Sequence, residues 1–326
     1  MSVELIILCG FLGSGKTTLL VDYLRADTEG ATGVIVNEVG EVGVDGVIVA
    51  DGSESLPMTL LANGCVCCSL RSDLVYTINT LLDAPRPEGR PPLRRIILET
   101  SGVSRPGPII ASLADPDLIA RQLRLTVVST YDCSRGPSID EAFEEAAAQL
   151  AAAHRIVLTK VDEVSDAALA DAAGRARAFN PLADVVVEQD RARAVQSAFA
   201  DDAGAGRSSA DLALLALQSG AAAALRHPRI RVFAAHPEAP LVWTDFTEWL
   251  DNIAGLCGDR MLRVKAVVRV TDCPDPILIQ SVGTTFSGPQ RLTRQPDARP
   301  VVIVIVRDMV AADFEDAPDA LLQLHA

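Results

Sequence analysis

Hydrophobic positions along the chain fall into short unbroken runs. Val3–Leu8, Gly33–Val36, Arg95–Leu98, Leu125–Ser129, Arg155–Thr159 and Asp184–Val187 are each dominated by aliphatic residues. Longer segments with helical spacing lie between them: Lys16–Leu24, Leu70–Leu82, Ile109–Ala114, Asp140–Ala153 and Ala167–Phe179. Continuous apolar strands alternating with helices predict a mostly parallel sheet with helices on both faces. In such a sheet the functional groups gather at the carboxyl ends of the strands.

The pattern loosens after Val187. The stretch 201–209 is rich in Asp, Gly and Ser and reads as solvated. Asp211–Leu225 is Ala- and Leu-rich and predicts a helix. Strand-like runs return at Ile230–Ala234, Leu262–Val270, Ile277–Val282 and Val301–Val306, with one helix at Thr244–Ala254. The expected organisation is a first α/β domain over residues 1–205, a linker and helix over 206–227, and a smaller α+β domain over 228–326.

Composition narrows the function. A net charge of −14 over 326 residues opposes binding to a polyanion, so no nucleic-acid partner is expected. No run reaches the ~20 apolar residues of a membrane helix, so no membrane partner is expected either. Seven cysteines, three of them within four positions, read as reduced thiols and a cytoplasmic protein rather than as a disulfide framework.

Three motifs carry chemistry. The first is Gly10-Phe11-Leu12-Gly13-Ser14-Gly15-Lys16-Thr17, a P-loop placed after a strand and before a helix. Gly10, Gly13, Ser14 and Gly15 let backbone amides curl around phosphate oxygens, with Thr18 in the helix that follows. Lys16 can reach the β- and γ-phosphates, and the Thr17 hydroxyl can ligate Mg²⁺. Ile96–Gly102 supports it: an apolar strand ends in Glu99, an acid placed to sit beside Mg²⁺, and Gly102 can bring an amide near the γ-phosphate. The second motif is Thr159-Lys160-Val161-Asp162, which resembles the guanine signature Asn/Thr-Lys-x-Asp. The Asp162 carboxylate can accept from both guanine N1–H and N2–H₂, while the Lys160 stem lies along the base. The third is Cys65-Val66-Cys67-Cys68 after an Asn63-Gly64 turn, a set of soft ligands for a transition metal. Clustered thiols also suit redox sensing.

Together, GFLGSGKTTLL at 10–20, NEVGEVGVDG at 37–46, NGCVCCSL at 63–70 and ETSGVSRPGP at 99–108 resemble the CobW-type metallochaperone GTPases, relatives of the hydrogenase and urease maturation GTPases. MLRVK at 261–265 and QSVGTTFSGPQRL at 280–292 resemble that family's C-terminal domain. The resemblance implies slow hydrolysis of GTP to GDP, with Lys16, Thr17 and Glu99 in the catalytic centre. It implies metal ligation by Cys67 with Cys65 and Cys68, and a metal-binding role for Glu41, with Glu38 nearby. It further implies a client metalloprotein as partner; a second copy of the chain is another candidate. Zinc is the first choice of metal, with cobalt or iron for a nitrile hydratase or cobalamin-pathway accessory protein. Only four histidines are present and none form a tract, so no histidine metal store is expected. An ATP-using small-molecule kinase is the rival reading, and it leaves Lys160, Asp162 and the cysteines without a task.

Overall fold

The structure is a computed structural model that describes residues 3–28, 30–36, 58–60, 69–85, 91–135, 143–200, 229–293, 299–315 and 321–325. The chain separates into two compact units. The first is built on a seven-stranded sheet in the order β3-β2-β4-β1-β5-β6-β7. Its strands are β1 (Glu4–Gly10), β2 (Thr32–Val36), β3 (Met58–Leu60), β4 (Arg95–Glu99), β5 (Arg124–Asp132), β6 (Arg155–Thr159) and β7 (Asp184–Val186). Every pairing is parallel. The helices are α1 (Lys16–Ala26), α2 (Ser69–Asp83), α3 (Pro106–Ser112), α4 (Pro116–Ala120), α5 (Glu144–Ala152), α6 (Asp166–Phe179) and α7 (Arg191–Ala198).

β1 is buried along its whole length because helices cover both faces of the sheet. One cluster joins Ile6 and Leu8 to Leu19, Leu20 and Leu24 of α1, and to Val195 and Ala198 of α7. Glu4 is the exception in this apolar strand, and it is paired. Arg95 donates to it from Nε at 2.9 Å and Nη2 at 2.6 Å, while the Thr126 hydroxyl donates to its other oxygen at 3.1 Å. Arg95 Nη1 also donates to the Tyr23 hydroxyl at 2.8 Å, which ties α1 to the sheet.

Some elements differ from the sequence expectation. The helix expected over Asp140–Ala153 begins at Glu144, since Phe143 is extended at its N-cap. The helix expected at Ile109–Ala114 opens earlier, at Pro106, where a missing amide costs nothing. α4 and α7 were not expected at all. Each is announced by an acid whose side chain caps the first turn: Asp115 accepts from the Asp117 amide and Asp190 from the Arg193 amide. The helix expected at Asp211–Leu225 lies outside the described residues.

The second unit holds β8 (Ile230–Ala235), β9 (Met261–Val270), β10 (Cys273–Val282), β11 (Thr285–Phe286), β12 (Gln290–Arg291) and β13 (Val301–Arg307). They pair antiparallel in the order β11-β10-β9-β13-β8, with β12 on β10. α8 (Trp243–Cys257) lays Phe246, Trp249, Leu250, Ile253 and Cys257 on alternate strand positions such as Val264, Ala266, Val268, Val302 and Val304. β10 starts four residues earlier than its apolar run, because Pro274 and Pro276 sit in an irregular stretch between paired Cys273 and Ile277. α9 (Ala312–Glu315) follows β13.

The buried pair makes a prediction for stability. Arg95→Met strands the Glu4 carboxylate in the sheet and is expected to cost about 3–5 kcal/mol. Urea denaturation followed by circular dichroism measures it, and a loss below about 1 kcal/mol means the pair is not holding the sheet.

Candidate functional site: a glycine-rich loop and the turn after β6

The site is assembled where β1, β4, β5 and β6 end. The chain leaves β1 through Gly10, Gly13 and Gly15, which take φ of 142°, 71° and 90°. These conformations favour glycine. Gly15 is the left-handed N-cap from which α1 starts, so the first-turn amides of α1 face the loop. Lys16 is 9% exposed, and its ammonium folds back onto the loop, donating to the Gly10 carbonyl at 2.9 Å and the Phe11 carbonyl at 3.4 Å. Thr17 donates its hydroxyl hydrogen to Glu99 Oε1 at 2.6 Å. This oxygen pair has the hard-donor chemistry that suits Mg²⁺. Thr18 is exposed on the next position of α1.

The loop is strapped to its neighbours. Ser14 is buried, and its hydroxyl lies 2.6 Å from the Thr130 hydroxyl of β5. The Thr159 hydroxyl of β6 lies 2.8 Å from the Ser14 carbonyl and 3.1 Å from the Tyr131 carbonyl. The residue that replaces Asn in the guanine signature therefore ties β6 to the phosphate loop. Gly102 packs directly on the loop: a Cβ there would stand 2.7 Å from the Leu12 amide nitrogen. Gln149 of α5, 1% exposed, holds this segment by donating from Nε2 to the Gly102 carbonyl at 3.0 Å and the Ser104 carbonyl at 2.8 Å.

Lys160 takes a left-handed φ of 54° and opens the short turn Val161–Glu163. Asp162 is exposed on that turn. The Lys160 ammonium lies 2.5 Å from Asp132 Oδ2 at the end of β5. Burial alone would raise the Asp132 carboxyl, but hydrogen bonds from Lys160 and Ser134 outweigh it and hold the group below the usual carboxylate range. Sequence reasoning passed over Asp132, Arg135 and Gln149. The signal for Asp132 was available, since it ends an apolar strand in an acid just as Glu99 does.

Thr17 and Glu99 thus meet, Lys16 folds onto the Gly10 and Phe11 carbonyls, Ser14, Gly102 and Thr159 belong to or pack on the same loop, and Lys160 pairs with Asp132. Cys65, Cys67, Cys68, Glu38 and Glu41 lie outside the described residues. Cys9, Cys133 and Cys257 are poor ligands: burial pushes the Cys9 thiol up to about 12, and Cys133 and Cys257 up to about 11. No cluster of three or more metal-ligating side chains occurs among the described residues. No described helix is long and apolar enough to cross a membrane.

A parallel sheet with a glycine-rich loop between its central strand and a helix, Lys-Thr opening that helix, defines a P-loop NTPase fold. Comparison with known families is more specific. Residues 4–187 match the nucleotide-binding domain of the CobW/HypB/UreG family, and residues 230–322 match the C-terminal domain of the cobalamin synthesis protein CobW. The chain belongs to the CobW/HypB/UreG family. It is 34% identical over 166 residues to the zinc chaperone YjiA of Escherichia coli K12, covering 51% of each chain. It is 33% identical over 192 residues to the zinc chaperone CobW of a Sinorhizobium species, covering 50% of this chain and 52% of that one. The chain spans about half the length of these curated relatives. The Zn(II)-bound YjiA GTPase structure from E. coli superposes with a TM-score of 0.64 at 20% identity, over 98% of this chain and all of the other, and shares the fold.

Gly102→Ala tests the close approach to the loop. The added methyl has no room against the Leu12 backbone, so the loop must shift. A fall in nucleotide affinity of roughly tenfold or more is expected by fluorescence titration, with the circular dichroism of the parent. Parent affinity in this variant means the segment does not shape the phosphate site.

Proposed function

We propose that this protein is a GTP-dependent metallochaperone. It binds GTP with Mg²⁺, hydrolyses it slowly to GDP, carries a transition metal on Cys65, Cys67 and Cys68, and passes that metal to a client metalloprotein in the cytoplasm. Zinc is the first choice of cargo, because relatives at 33–34% identity are zinc chaperones.

One observation carries the reading. The chain leaves β2 at Val36, which lies beside Glu99, and leaves β3 at Leu60, which lies beside Val36. The segments carrying Glu41 and the three cysteines therefore start at the same edge of the sheet as the phosphate loop. A kinase of a small molecule has no use for thiol ligands departing from that edge.

The residues divide the work. Lys16 exchanges its loop carbonyls for phosphate oxygens when nucleotide arrives, a rearrangement within reach of its flexible stem. Thr17 and Glu99 would supply the oxygens that hold Mg²⁺, which when bound would offset negative charge on the phosphates. Gly102 and its neighbours, pinned by Gln149, follow the γ-phosphate. Asp162 pairs with the guanine edge and Lys160 flanks the base. The thiols must lose protons to bind metal, so loading weakens as pH falls.

GTP is expected to bind more tightly than ATP in direct calorimetric titration with Mg²⁺. Asp162→Ala is expected to lose about 2–3 kcal/mol of GTP affinity and little ATP affinity, since it leaves the guanine donors unpaired. Equal affinity of the parent for the two nucleotides removes the guanine assignment.

A further inference from the structure

Asp132 ends β5 at 8% exposure and faces groups from two different loops. Its Oδ1 accepts from the Ser134 amide at 2.9 Å and from the Ser134 hydroxyl at 2.6 Å, which fixes the plane of the carboxylate. Its Oδ2 meets Lys160 Nζ at 2.5 Å and Arg135 Nε at 3.1 Å. Lys160 belongs to the turn that presents Asp162. Arg135 continues to the phosphate loop, where Nη1 donates to the Leu12 carbonyl at 2.9 Å. Its Nη2 fills the space beside Gly13, 2.6 Å from where a Cβ would stand. One buried carboxylate thus joins the base-reading turn to the phosphate loop.

The join answers a physical problem. Lys160 holds a backbone conformation that a residue with a Cβ adopts reluctantly, and its long side chain is costly to order. An anion held rigid by Ser134 sets both before a ligand arrives. Preorganisation of this kind raises affinity by removing an ordering cost from the binding step. Arg135, 40% exposed, braces the loop from outside without entering the sheet.

We propose that Asp132 is a positioning residue for selection of guanine nucleotides: through Lys160 it anchors the Val161–Glu163 turn that presents Asp162, and through Arg135 it braces the phosphate loop. The proposal rests on the reading of Asp162 as the guanine contact. The two limbs have separate consequences. The lysine limb governs the ratio of GTP to ATP affinity. The arginine limb governs affinity for both nucleotides alike, because the phosphates are common to them.

The test is fluorescence titration of GTP and ATP analogues into the parent, Asp132→Asn, Lys160→Met, their double variant and Arg135→Gln. Asp132→Asn keeps the size of the side chain and removes its charge. It is expected to weaken GTP roughly tenfold and to narrow the GTP-to-ATP ratio. The double variant is expected to show the ratio of Lys160→Met alone, since the acid acts through the lysine. Arg135→Gln is expected to weaken both nucleotides by the same factor and leave the ratio unchanged. Asp132→Glu is a second route that keeps the charge and displaces it by one methylene. It should narrow the same ratio in a protein with parent circular dichroism. A parent ratio in Asp132→Asn or Asp132→Glu overturns the proposal, and so does a double variant whose GTP-to-ATP ratio falls by the product of the two single changes in that ratio. A parent protein that binds GTP and ATP alike refutes the guanine reading itself, and the proposal falls with it. That outcome is distinct because it shows in the parent alone.

Discussion

The pairing of β1 with β4 on one side and β5 on the other is the constraint on which the rest of the first unit depends. Leu8 lies beside both Glu99 and Val128, so the end of β1 is held between two strands that each finish in an acid. Asp132 in turn lies beside Thr159. A shift of any strand by one residue would turn its inward groups to the opposite face. β1 is buried on both faces, so its apolar pattern alone does not choose between registers. Glu4 reinforces the register from the far end, because Arg95 and Thr126 can satisfy it only in this alignment.

From that register the polar groups follow as a set of straps on one loop. Thr17 reaches Glu99 of β4, Ser14 meets Thr130 of β5, Thr159 of β6 meets the Ser14 carbonyl, and Arg135 meets the Leu12 carbonyl. Two of these bonds, Ser14 to Thr130 and Thr159 to the Ser14 carbonyl, involve only short side chains and cost little side-chain entropy. The longer side chains, Lys16 and Lys160, are held by oxygens of the protein itself. Lys16 has reach enough to exchange those oxygens for a ligand, while Asp132 keeps Lys160 in place.

The first unit was legible in the sequence to the extent that apolar runs are continuous. β1, β4, β5 and β6 needed no more than their own composition, and the glycines of the P-loop placed the turn after β1. The short helices α4 and α7 escaped because few of their residues are buried, which leaves little periodicity to read. Their caps at Asp115 and Asp190 were the better signal. β3 has three residues and offers no pattern of its own. In the site, Lys16, Thr17 and Glu99 were found because their spacing is local or motif-bound. Asp132 and Gln149 act across 28 and 47 residues, on Lys160 and on the Gly102 carbonyl, and separations of that kind carry no periodic trace. Thr159 stands at the Asn/Thr position of the guanine signature, and only the packed sheet reveals its bond to the Ser14 carbonyl.

The coupling between cargo and nucleotide is what separates a chaperone that releases metal on hydrolysis from a protein with two unrelated sites. Glu41 follows β2 in the sequence, and Val36 at the end of that strand lies beside Glu99; in the proposed function, ordering of the segment after β2 by the γ-phosphate is what links nucleotide to metal. Linkage makes the effect reciprocal, and a coupling of about 1–3 kcal/mol corresponds to roughly 5–150-fold in affinity. The most direct measurement is the zinc affinity of the protein in three states: free of nucleotide, bound to GDP and bound to a non-hydrolysable GTP analogue. Zinc bound more tightly in the analogue state than in the other two, by a factor within that range, is the expected result. One and the same zinc affinity in all three states contradicts nucleotide-gated delivery.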